Sequence, residues 1–390
     1  MITETALANL IFPGCTVAVG DGFGTPREVS AQLSMAAADQ ERVRLVLGWM
    51  PEPDPGLNFE AFSDVRTVMP GWGLRAGVAS GKVQFVPTRL SAVPALIHGP
   101  LRPDVLVATV VSRPDGFRFA TEVSWQRAAV AAGARIAAVI SAVAPCADAG
   151  PPLPDDQLVV LGVSTAAPGR MPDGAPSPEV ERMVDHLLTL IPAHSRIQVG
   201  PGALGATVLR RIEVPVRIDS GLLPDAIVDL DERGLLVDEP IATYLAGGPR
   251  LLDWADGRKI LHPIEFTHDL GRLSASPLFA INTAIEVDLM GQVNVEGTAR
   301  AIVGGIGGHA DYTAAAARSI GGLSIVAVST THNGRSTLVA ELSRPVSTPA
   351  HDVDVIVTEH GLADLRGLDR TERTRALLDL WGTAAPPQRS

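Results

Sequence analysis

Residues 16–33, TVAVGDGFGTPREVSAQL, run from a β-branched segment through closely spaced glycines into a segment typical of a helix. Residues 196–212, RIQVGPGALGATVLRRI, repeat that order, and Gly200 and Gly202 lie 180 residues after Gly20 and Gly22. Two halves that begin with the same unit indicate two related α/β domains. The alternative is that both segments are ordinary strand–turn–helix units, which recur in all α/β proteins.

The same alternation of short strands and helices continues outward from these segments. Strands are predicted at residues 16–20, 43–47, 83–87, 104–111 and 135–143, and helices at residues 27–37 and 122–133. The runs LVATVV and IAAVI are apolar on both faces, as in parallel strands that are covered by helices on both sides. The alternation therefore predicts an α/β fold with mainly parallel sheets.

The chain of 390 residues exceeds the ~250–300 residues at which a single core stops growing, so two domains are expected. Residues 145–178 are rich in Pro, Gly, Ala and Asp, although QLVVLGV within them is strand-like. A helix is predicted next, with Ser177 as its N-cap and Pro178 in its first turn. The predicted boundary follows this helix, giving an N-terminal domain of residues 1–192 and a C-terminal domain of residues 193–390.

Composition excludes several classes of function. A formal net charge of −11 argues against binding to a nucleic-acid backbone, which requires a basic field. Two cysteines, Cys15 and Cys146, are too few for a disulfide framework or a cysteine-built zinc site, so no metal is expected. The N-terminal residues have no basic region typical of a secretory signal, and the most apolar stretch, residues 128–146, is interrupted by Arg135. We therefore expect a cytoplasmic protein without a membrane partner.

A dinucleotide-type motif, G-x-G-x-x-G, occurs at Gly200, Gly202 and Gly205, and Asp219 follows 19 residues after Gly200. In nicotinamide enzymes, such glycines form a tight turn at a helix N-terminus, and the acid binds the ribose. The motif also arises by chance in a chain with 38 glycines, and Pro201 removes one backbone N–H from the turn. A nicotinamide enzyme is therefore a minor alternative.

Within residues 278–298, LFAINTAIEVDLMGQVNVEGT, residues 279–289 have the period-two alternation of a strand. Apolar residues fall on one face, and Asn282, Ala284, Glu286 and Asp288 fall on the other. Small neighbours would let a ligand approach the Glu286 carboxylate. The alternative is a solvent-facing strand that carries two acids.

Two further segments combine glycines with polar residues. IVGGIGGHADY places Gly304, Gly305, Gly307 and Gly308 before a helix predicted at residues 310–319, an arrangement that suits an anion or oxyanion, although a tight turn would also explain it. VDVIVTEHGLADLRG, residues 353–367, is predicted to be a buried strand that ends in a polar turn and enters a short helix.

Together, INTAIEVDLMGQVN, GGIGGHADY and VTEHGLADLRG resemble the acetyl-CoA hydrolase/transferase family, closely over about residues 240–370 and more loosely elsewhere. The resemblance implies two open, mainly parallel α/β domains of the isomerase/CoA-transferase type. It implies a CoA-transferase that moves coenzyme A between an acyl-CoA and a carboxylic acid, with coenzyme A as substrate and no permanently bound cofactor. A homodimer is the default expectation.

The resemblance also implies roles for individual residues. Glu286 matches the family's catalytic nucleophile, which forms a covalent glutamyl-CoA thioester. Coenzyme A contacts are implied for the glycines of residues 304–308, for Gly361, and for the segment TYLAG. The members of that segment are Thr243, Tyr244, Leu245, Ala246 and Gly247.

The sequence departs from the family pattern at His309, where many relatives have Gln, and at Ala315, where other relatives have Asn. A neutral His309 imidazole is a candidate donor to the oxyanion, and the alternative is a histidine that only hydrogen-bonds within its loop. Two other functions stay open: an acyl-CoA hydrolase that uses the same Glu286, and a catalytically silent CoA-binding protein.

Overall fold

The computed structural model describes residues 4–171 and 174–386. The strands, in chain order, are β1 Thr16–Val19, β2 Arg44–Leu47, β3 Asp64–Thr67, β4 Gln84–Phe85, β5 Val105–Arg113, β6 Gly116–Phe119, β7 Arg135–Ser141, β8 Leu158–Ser164, β9 Arg196–Val199, β10 Arg217–Ile218, β11 Leu222–Pro224, β12 Tyr244–Ala246, β13 Phe279–Thr283, β14 Glu286–Asp288, β15 Val293–Asn294, β16 Leu323–Ala327, β17 Thr331–His332, β18 Arg335–Ser336, β19 Leu338–Val339, β20 Val355–Thr358 and β21 Gly361–Asp364. The helices are α1 Glu4–Ala8, α2 Ser30–Ala38, α3 Arg75–Ala79, α4 Val93–Ile97, α5 Gln126–Ala131, α6 Pro178–Leu188, α7 Ala203–Arg211, α8 Ala226–Glu232, α9 Pro249–Ala255, α10 Ile264–Thr267, α11 Leu270–Ser274, α12 His309–Arg318 and α13 Arg370–Trp381.

The chain forms two compact units. The first unit comprises Met1–Met171, Ile241–Thr267 and Ile302–Gly305, and the second comprises the remaining residues. This division differs from the predicted boundary between residues 192 and 193. The helix that precedes the predicted boundary, α6, packs against α7 and β20 of the second unit. The sequence pattern also carries no sign that the chain returns to the first unit at Ile241.

The first unit contains a sheet in the order β4-β3-β2-β1-β5-β7-β8, parallel along this path, with β6 antiparallel to β5. All four residues of β1 are buried, as expected for a central strand covered on both faces. Val17, Leu45, Val107 and Val139 belong to one core cluster, which explains why β-branched runs predicted these strands correctly.

The second unit contains a sheet in the order β10-β9-β13-β16-β20-β21, parallel except for β21 at its edge. A smaller sheet, β15-β14-β19, lies in the same unit. Trp381 of α13 is fully buried, and its indole N–H donates to the Thr330 carbonyl at 3.1 Å. The predicted α/β class with mainly parallel sheets is confirmed.

Local signals located the start of α6 correctly. Helix α6 begins at Pro178, and the Ser177 side chain accepts a hydrogen bond from the Val180 N–H. Within residues 353–367, the predicted strand and polar turn are present, but the prediction of a short helix after the turn was wrong. The chain turns back at residues 359–360 and forms β21, which pairs antiparallel with β20, and α13 begins only at Arg370.

Candidate active site

The chain changes sheets immediately before Glu286. The Ala284 N–H still donates to Ala327 of β16, whereas the Ile285 N–H donates to Asn294 of β15. The prediction of one strand over residues 279–289 was therefore wrong, because β13 and β14 belong to different sheets. Glu286 is the first residue of β14 and is half-buried.

Three hydrogen-bond donors fix the Glu286 carboxylate. The Asn294 side-chain amide donates to Oε2 at 2.9 Å, and the Ser343 backbone N–H donates to the same oxygen at 2.9 Å. The Ser343 hydroxyl oxygen lies 2.8 Å from both Oε1 and Oε2. The carboxylate is thus held in one orientation while its side chain keeps contact with solvent, as a positioned nucleophile requires.

Asn294 and Ser343 are functional candidates that sequence reasoning missed. Asn294 is fully buried and lies directly across the β14–β15 hairpin from Glu286. The turn residues MGQ between two short apolar runs were a hairpin signal that would have paired positions 286 and 294. Ser343 lies 57 residues from Glu286 along the chain, and no local pattern pointed to it.

Replacing Ser343 tests whether these donors matter. We expect Ser343→Ala to lower kcat about 10-fold with KM little changed, because one of the donors that orient the carboxylate is lost while the backbone N–H stays. Ser343→Thr keeps a hydroxyl and should recover most of the rate. Steady-state kinetics with an acyl-CoA donor is the measurement, and equal kcat for wild type and Ser343→Ala would remove Ser343 from the site.

His309, the predicted oxyanion donor, is buried at the start of α12. Its Nδ1 lies 2.8 Å from the Thr348 hydroxyl, and its Nε2 has no hydrogen-bond partner among the described residues. Burial disfavours the imidazolium and lowers the pKa of His309 to about 4, while a hydrogen bond with the Thr283 backbone acts in the opposite direction. The imidazole is therefore neutral at pH 7.

The glycines before α12 are divided between the two units. Gly307 and Gly308 belong to the second unit, and Gly304 and Gly305 belong to the first. Gly307 has φ +60°, and a Cβ on Gly308 would lie 2.4 Å from Nε2 of His268. Packing alone therefore requires a glycine at 308, whatever this loop binds.

Gly361 occupies a more open position. It begins β21 with φ +154°, and a Cβ there would meet only Leu380, at 3.7 Å. Packing does not demand a glycine here, but the backbone conformation is one that other residues rarely adopt.

The TYLAG segment, residues 243–247, lies in the first unit and is buried throughout. The Thr243 hydroxyl oxygen accepts from the Ser124 N–H at 2.7 Å, and the Tyr244 hydroxyl donates to Oδ2 of Asp21 at 2.8 Å. The side chains of Thr243 and Tyr244 are therefore committed to internal contacts. Ligand contacts of this segment would have to come from its backbone.

Two buried carboxyl groups, Asp21 and Glu122, lie beside this segment and were missed by sequence reasoning. Asp21 also accepts hydrogen bonds from the Trp125 indole and the Trp49 backbone, both at 3.1 Å. The Gly24 N–H donates to Glu122 at 3.0 Å. Burial raises the pKa of both acids, to about 8 for Glu122.

The closely spaced glycines of residues 20–24 were a signal for this cluster. A Cβ on Gly24 would lie 2.4 Å from Glu122 Oε1, and one on Gly22 would lie 2.9 Å from Glu122 Oε2. These glycines thus make room for a buried acid.

The G-x-G-x-x-G motif has structural roles. A Cβ on Gly205 would lie 2.3 Å from the Gly200 carbonyl oxygen, so Gly205 lets α7 pack closely on the turn. Asp219 is buried and accepts two hydrogen bonds from Arg272, at 2.7 and 2.9 Å. A carboxylate committed to a guanidinium is not available for a ribose, which disfavours the nicotinamide alternative.

Residues 247–389 match the family model "Acetyl-CoA hydrolase/transferase C-terminal domain". Glu286, His309 and Gly361 all fall within this region. Residues 247–389 therefore correspond to the C-terminal domain of the acetyl-CoA hydrolase/transferase family.

A CoA-transferase and an acetyl-CoA hydrolase are each similar to part of this chain at low identity. The chain is 27% identical to 4-hydroxybutyrate coenzyme A transferase from Clostridium kluyveri over 220 residues, 52% of this chain and 51% of that protein. It is 34% identical to acetyl-CoA hydrolase from Kluyveromyces lactis over 166 residues, 40% of this chain and 31% of that protein. The matches span about half the length of the first of these curated relatives.

The fold extends the likeness beyond the family model. The crystal structure of RipA from Yersinia pestis superposes with a TM-score of 0.86 at 21% identity, covering 99% of this chain and 94% of RipA. At this identity the likeness shows the fold alone. Within residues 4–171 and 174–386, no helix of this protein is long and apolar enough to span a membrane.

Proposed function

We propose that this protein is a CoA-transferase that moves coenzyme A between an acyl-CoA and a carboxylic acid through Glu286. The observation that carries the proposal is the half-buried carboxylate of Glu286, held by Asn294 and Ser343. The position of Glu286 within the region that matches the acetyl-CoA hydrolase/transferase C-terminal domain supports the same role.

The reaction would proceed by covalent, ping-pong catalysis. A Glu286 oxygen attacks the acyl-CoA carbonyl carbon, the C–S bond of the tetrahedral intermediate breaks, and CoA leaves as a thiolate, which leaves Glu286 as a mixed anhydride with the acyl group. The thiolate then attacks the glutamyl carbonyl and the anhydride C–O bond breaks. The first carboxylate departs, and Glu286 remains as a glutamyl-CoA thioester. An incoming carboxylate reverses these steps and leaves as the new acyl-CoA. Coenzyme A is a substrate here, and no bound cofactor takes part.

Each tetrahedral intermediate carries an oxyanion that needs hydrogen-bond donors. We assign this role to backbone N–H groups of Gly307, Gly308 and Gly361, and to His309. If the Thr348 hydroxyl donates to Nδ1 of His309, the neutral ring carries its proton on Nε2, the atom that has no partner in the described part of the chain. We propose an oxyanion as the acceptor for this Nε2 proton.

Coenzyme A contacts are proposed at the backbone of residues 243–247, at Gly304 and Gly305 in the first unit, and at Gly361 in the second. The Tyr244 side chain would act there only by holding its segment in place, through its hydrogen bond to Asp21.

Replacing His309 separates a donor role from a structural one. We expect His309→Gln, which restores an amide donor, to retain activity, whereas His309→Ala should lose about 10²-fold in kcat, as removal of an oxyanion donor typically does. Because the pKa of His309 is about 4, its imidazole stays neutral between pH 6 and 8. Wild-type activity should therefore show no titration of His309 in this range. An alanine variant within threefold of wild type would assign the histidine a purely packing role.

Acyl-CoA hydrolysis is the second candidate, because one matched relative is an acetyl-CoA hydrolase. Water in place of the incoming carboxylate would give that activity from the same Glu286. The distinguishing experiment incubates the protein with acetyl-CoA, with and without isotopically labelled butyrate, and follows free thiol and labelled butyryl-CoA. Labelled butyryl-CoA without net thiol release supports the transferase. Thiol release at the same rate without butyrate supports the hydrolase. The absence of both products supports a silent CoA-binding protein.

A further inference from the structure

The two oxygens of the Glu286 carboxylate are held unequally. Oε2 accepts hydrogen bonds from the Asn294 side-chain amide and from the Ser343 backbone N–H, both at 2.9 Å. The one partner of Oε1 among the described residues is the Ser343 hydroxyl, and this hydroxyl lies 2.8 Å from Oε2 as well. A hydroxyl has one proton and donates to one oxygen at a time. Oε1 is therefore the oxygen that keeps free lone pairs.

This difference selects the oxygen that attacks the acyl-CoA. Hydrogen bonds to Oε2 withdraw its electron density and make it the weaker nucleophile, so Oε1 forms the bond to the acyl carbon. Oε2 then becomes the carbonyl oxygen of the glutamyl group, in the mixed anhydride and in the glutamyl-CoA thioester. When a thiolate or a carboxylate attacks the glutamyl carbon, the negative charge develops on Oε2.

The two donors on Oε2 have the geometry of an oxyanion hole. Donors of this kind lie ~2.7–3.1 Å from the position that the oxyanion occupies, and both distances at Oε2 fall within that range. Oε2 is bonded to the carbon that is attacked, so it moves little when that carbon becomes tetrahedral. The donors are therefore in place before the charge develops.

The Asn294 amide is fixed on every side. Its side-chain nitrogen also donates to the Gly297 carbonyl at 2.7 Å, and its oxygen accepts from the backbone N–H groups of Glu296 at 3.0 Å and Gly297 at 3.4 Å. These bonds determine that the nitrogen, and not the oxygen, faces Glu286. Asn294 is also fully buried, where a donor that needs no reorganisation stabilises a developing charge most strongly.

The Ser343 N–H is held in place by the residue that follows it. The Arg344 Nε donates to the Thr298 carbonyl at 2.8 Å, which anchors this loop to the segment after β15. Every residue except proline has a backbone N–H, so most substitutions at position 343 leave this donor intact. Asn294 is thus the donor that mutagenesis can remove.

We propose that Asn294 is a catalytic residue, whose side-chain amide and the Ser343 N–H together form an oxyanion hole for the glutamyl carbonyl of Glu286. The inference rests on the proposed function and adds to it, because these donors act in addition to His309 and the glycine N–H groups. In each attack, the incoming thiolate or carboxylate forms a bond to the glutamyl carbon, and the C=O electron pair moves onto Oε2. The pair returns as the leaving carboxylate or thiolate departs with the electrons of its own bond.

The donors favour the transition state over the thioester. Hydrogen bonds to a charged oxygen are about twice as strong as those to a neutral carbonyl oxygen. Asn294 therefore binds Oε2 more tightly when the charge develops than in the resting thioester, and such a difference in binding raises the rate.

The test isolates attack on the glutamyl carbon. Wild type and Asn294→Ala are incubated with acetyl-CoA until intact-protein mass spectrometry shows glutamyl-CoA, and small molecules are removed by gel filtration. Hydroxylamine is added, and release of the CoA thiol is followed. Glu286 is the electrophile in this step, so a residue that only orients its carboxylate for attack does not affect the rate. We expect Asn294→Ala to release CoA about 10²-fold more slowly than wild type.

Two further variants keep the test decisive. Asn294→Asp keeps the shape and the oxygen that accepts from Glu296 and Gly297, and it serves if Asn294→Ala does not fold. A protonated aspartic acid can donate to Oε2 and an ionised one cannot, so its rate relative to wild type should fall as the pH rises. Asn282→Ala is the matched control and should release CoA at the wild-type rate, because Asn282 is a buried asparagine of the same unit that donates to Gln198 at 3.0 Å.

The outcomes separate this inference from the proposed function. Equal rates of CoA release for wild type and Asn294→Ala would overturn the role of Asn294, as would a wild-type rate for Asn294→Asp at every pH. Both results would leave the proposed function in place, because glutamyl-CoA has formed. Absence of glutamyl-CoA from the wild type would overturn the proposed function and this inference with it.

Discussion

Glu286→Ala and Glu286→Gln are expected to lower the rate of CoA transfer by at least ~10³-fold, because covalent catalysis has no path without its nucleophile. Folding should persist, since Glu286 is half-buried and begins a short strand of the second unit. Binding of coenzyme A, measured calorimetrically, should be retained in both variants. The Glu286→Gln side chain keeps the size of the original and separates loss of the carboxylate from loss of packing.

Glu286→Asp is the sharper comparison for this prediction. Aspartate keeps the charge but withdraws the attacking oxygen by about one carbon–carbon bond, and a misplacement of ~1 Å costs about 10²-fold. The shorter side chain would also leave the Asn294 amide and the Ser343 hydroxyl too far away to orient it. Transfer at the wild-type rate in any of the three variants would show that another group is the nucleophile.

Glu122→Gln is expected to make the protein more stable at pH 8 than the wild type. The pKa of Glu122 is about 8 in the folded protein, against 4.5 for a free side chain. Between these values the folded state holds a proton that the unfolded state has released. The contribution of Glu122 to stability is therefore full below pH 4.5 and is lost as the pH rises towards 8. The loss is on the order of 3–5 kcal/mol, at about 1.4 kcal/mol per pH unit.

Glutamine has nearly the shape of protonated glutamate and does not titrate. It should keep an oxygen as acceptor for the Gly24 N–H and the Thr121 hydroxyl, which bind one glutamate oxygen in the wild type. Denaturant unfolding at pH 5, 6.5 and 8 should show a stability difference that grows with pH in favour of the variant. Glu60→Gln, which alters an exposed acid, is the control and should not reproduce this trend. A difference that is constant with pH would mean that Glu122 is ionised in the folded protein.

Much of the fold followed from local sequence patterns. β1, β5 and β7 have apolar β-branched runs because both of their faces are buried, and the Ser177–Pro178 cap marked the start of α6. The change of sheet between β13 and β14 was not visible, because the alternation of side chains is the same whichever strand lies alongside. The hairpin after β20 was missed because polar residues suit a strand turn as well as a helix start.

The candidate site was likewise predicted only in part from the sequence. Glu286 and Gly361 stood out through motifs, whereas Ser343 orients Glu286 from a distant loop. The Asp21–Glu122 cluster likewise depends on contacts between distant segments, including Tyr244. Such contacts are set by tertiary packing and leave no periodic signal. The glycines of residues 20–24 were visible, but their purpose became clear only once Glu122 was seen beside them.

The most direct test of the central claim is to trap the covalent intermediate on Glu286. The protein is incubated with acetyl-CoA, treated with hydroxylamine or borohydride, digested, and examined by mass spectrometry. The account predicts a hydroxamate or alcohol mass shift located at Glu286, dependent on acetyl-CoA and absent from Glu286→Gln. An unmodified Glu286 peptide from protein that is transferring CoA, or a shift located on another residue, would contradict it.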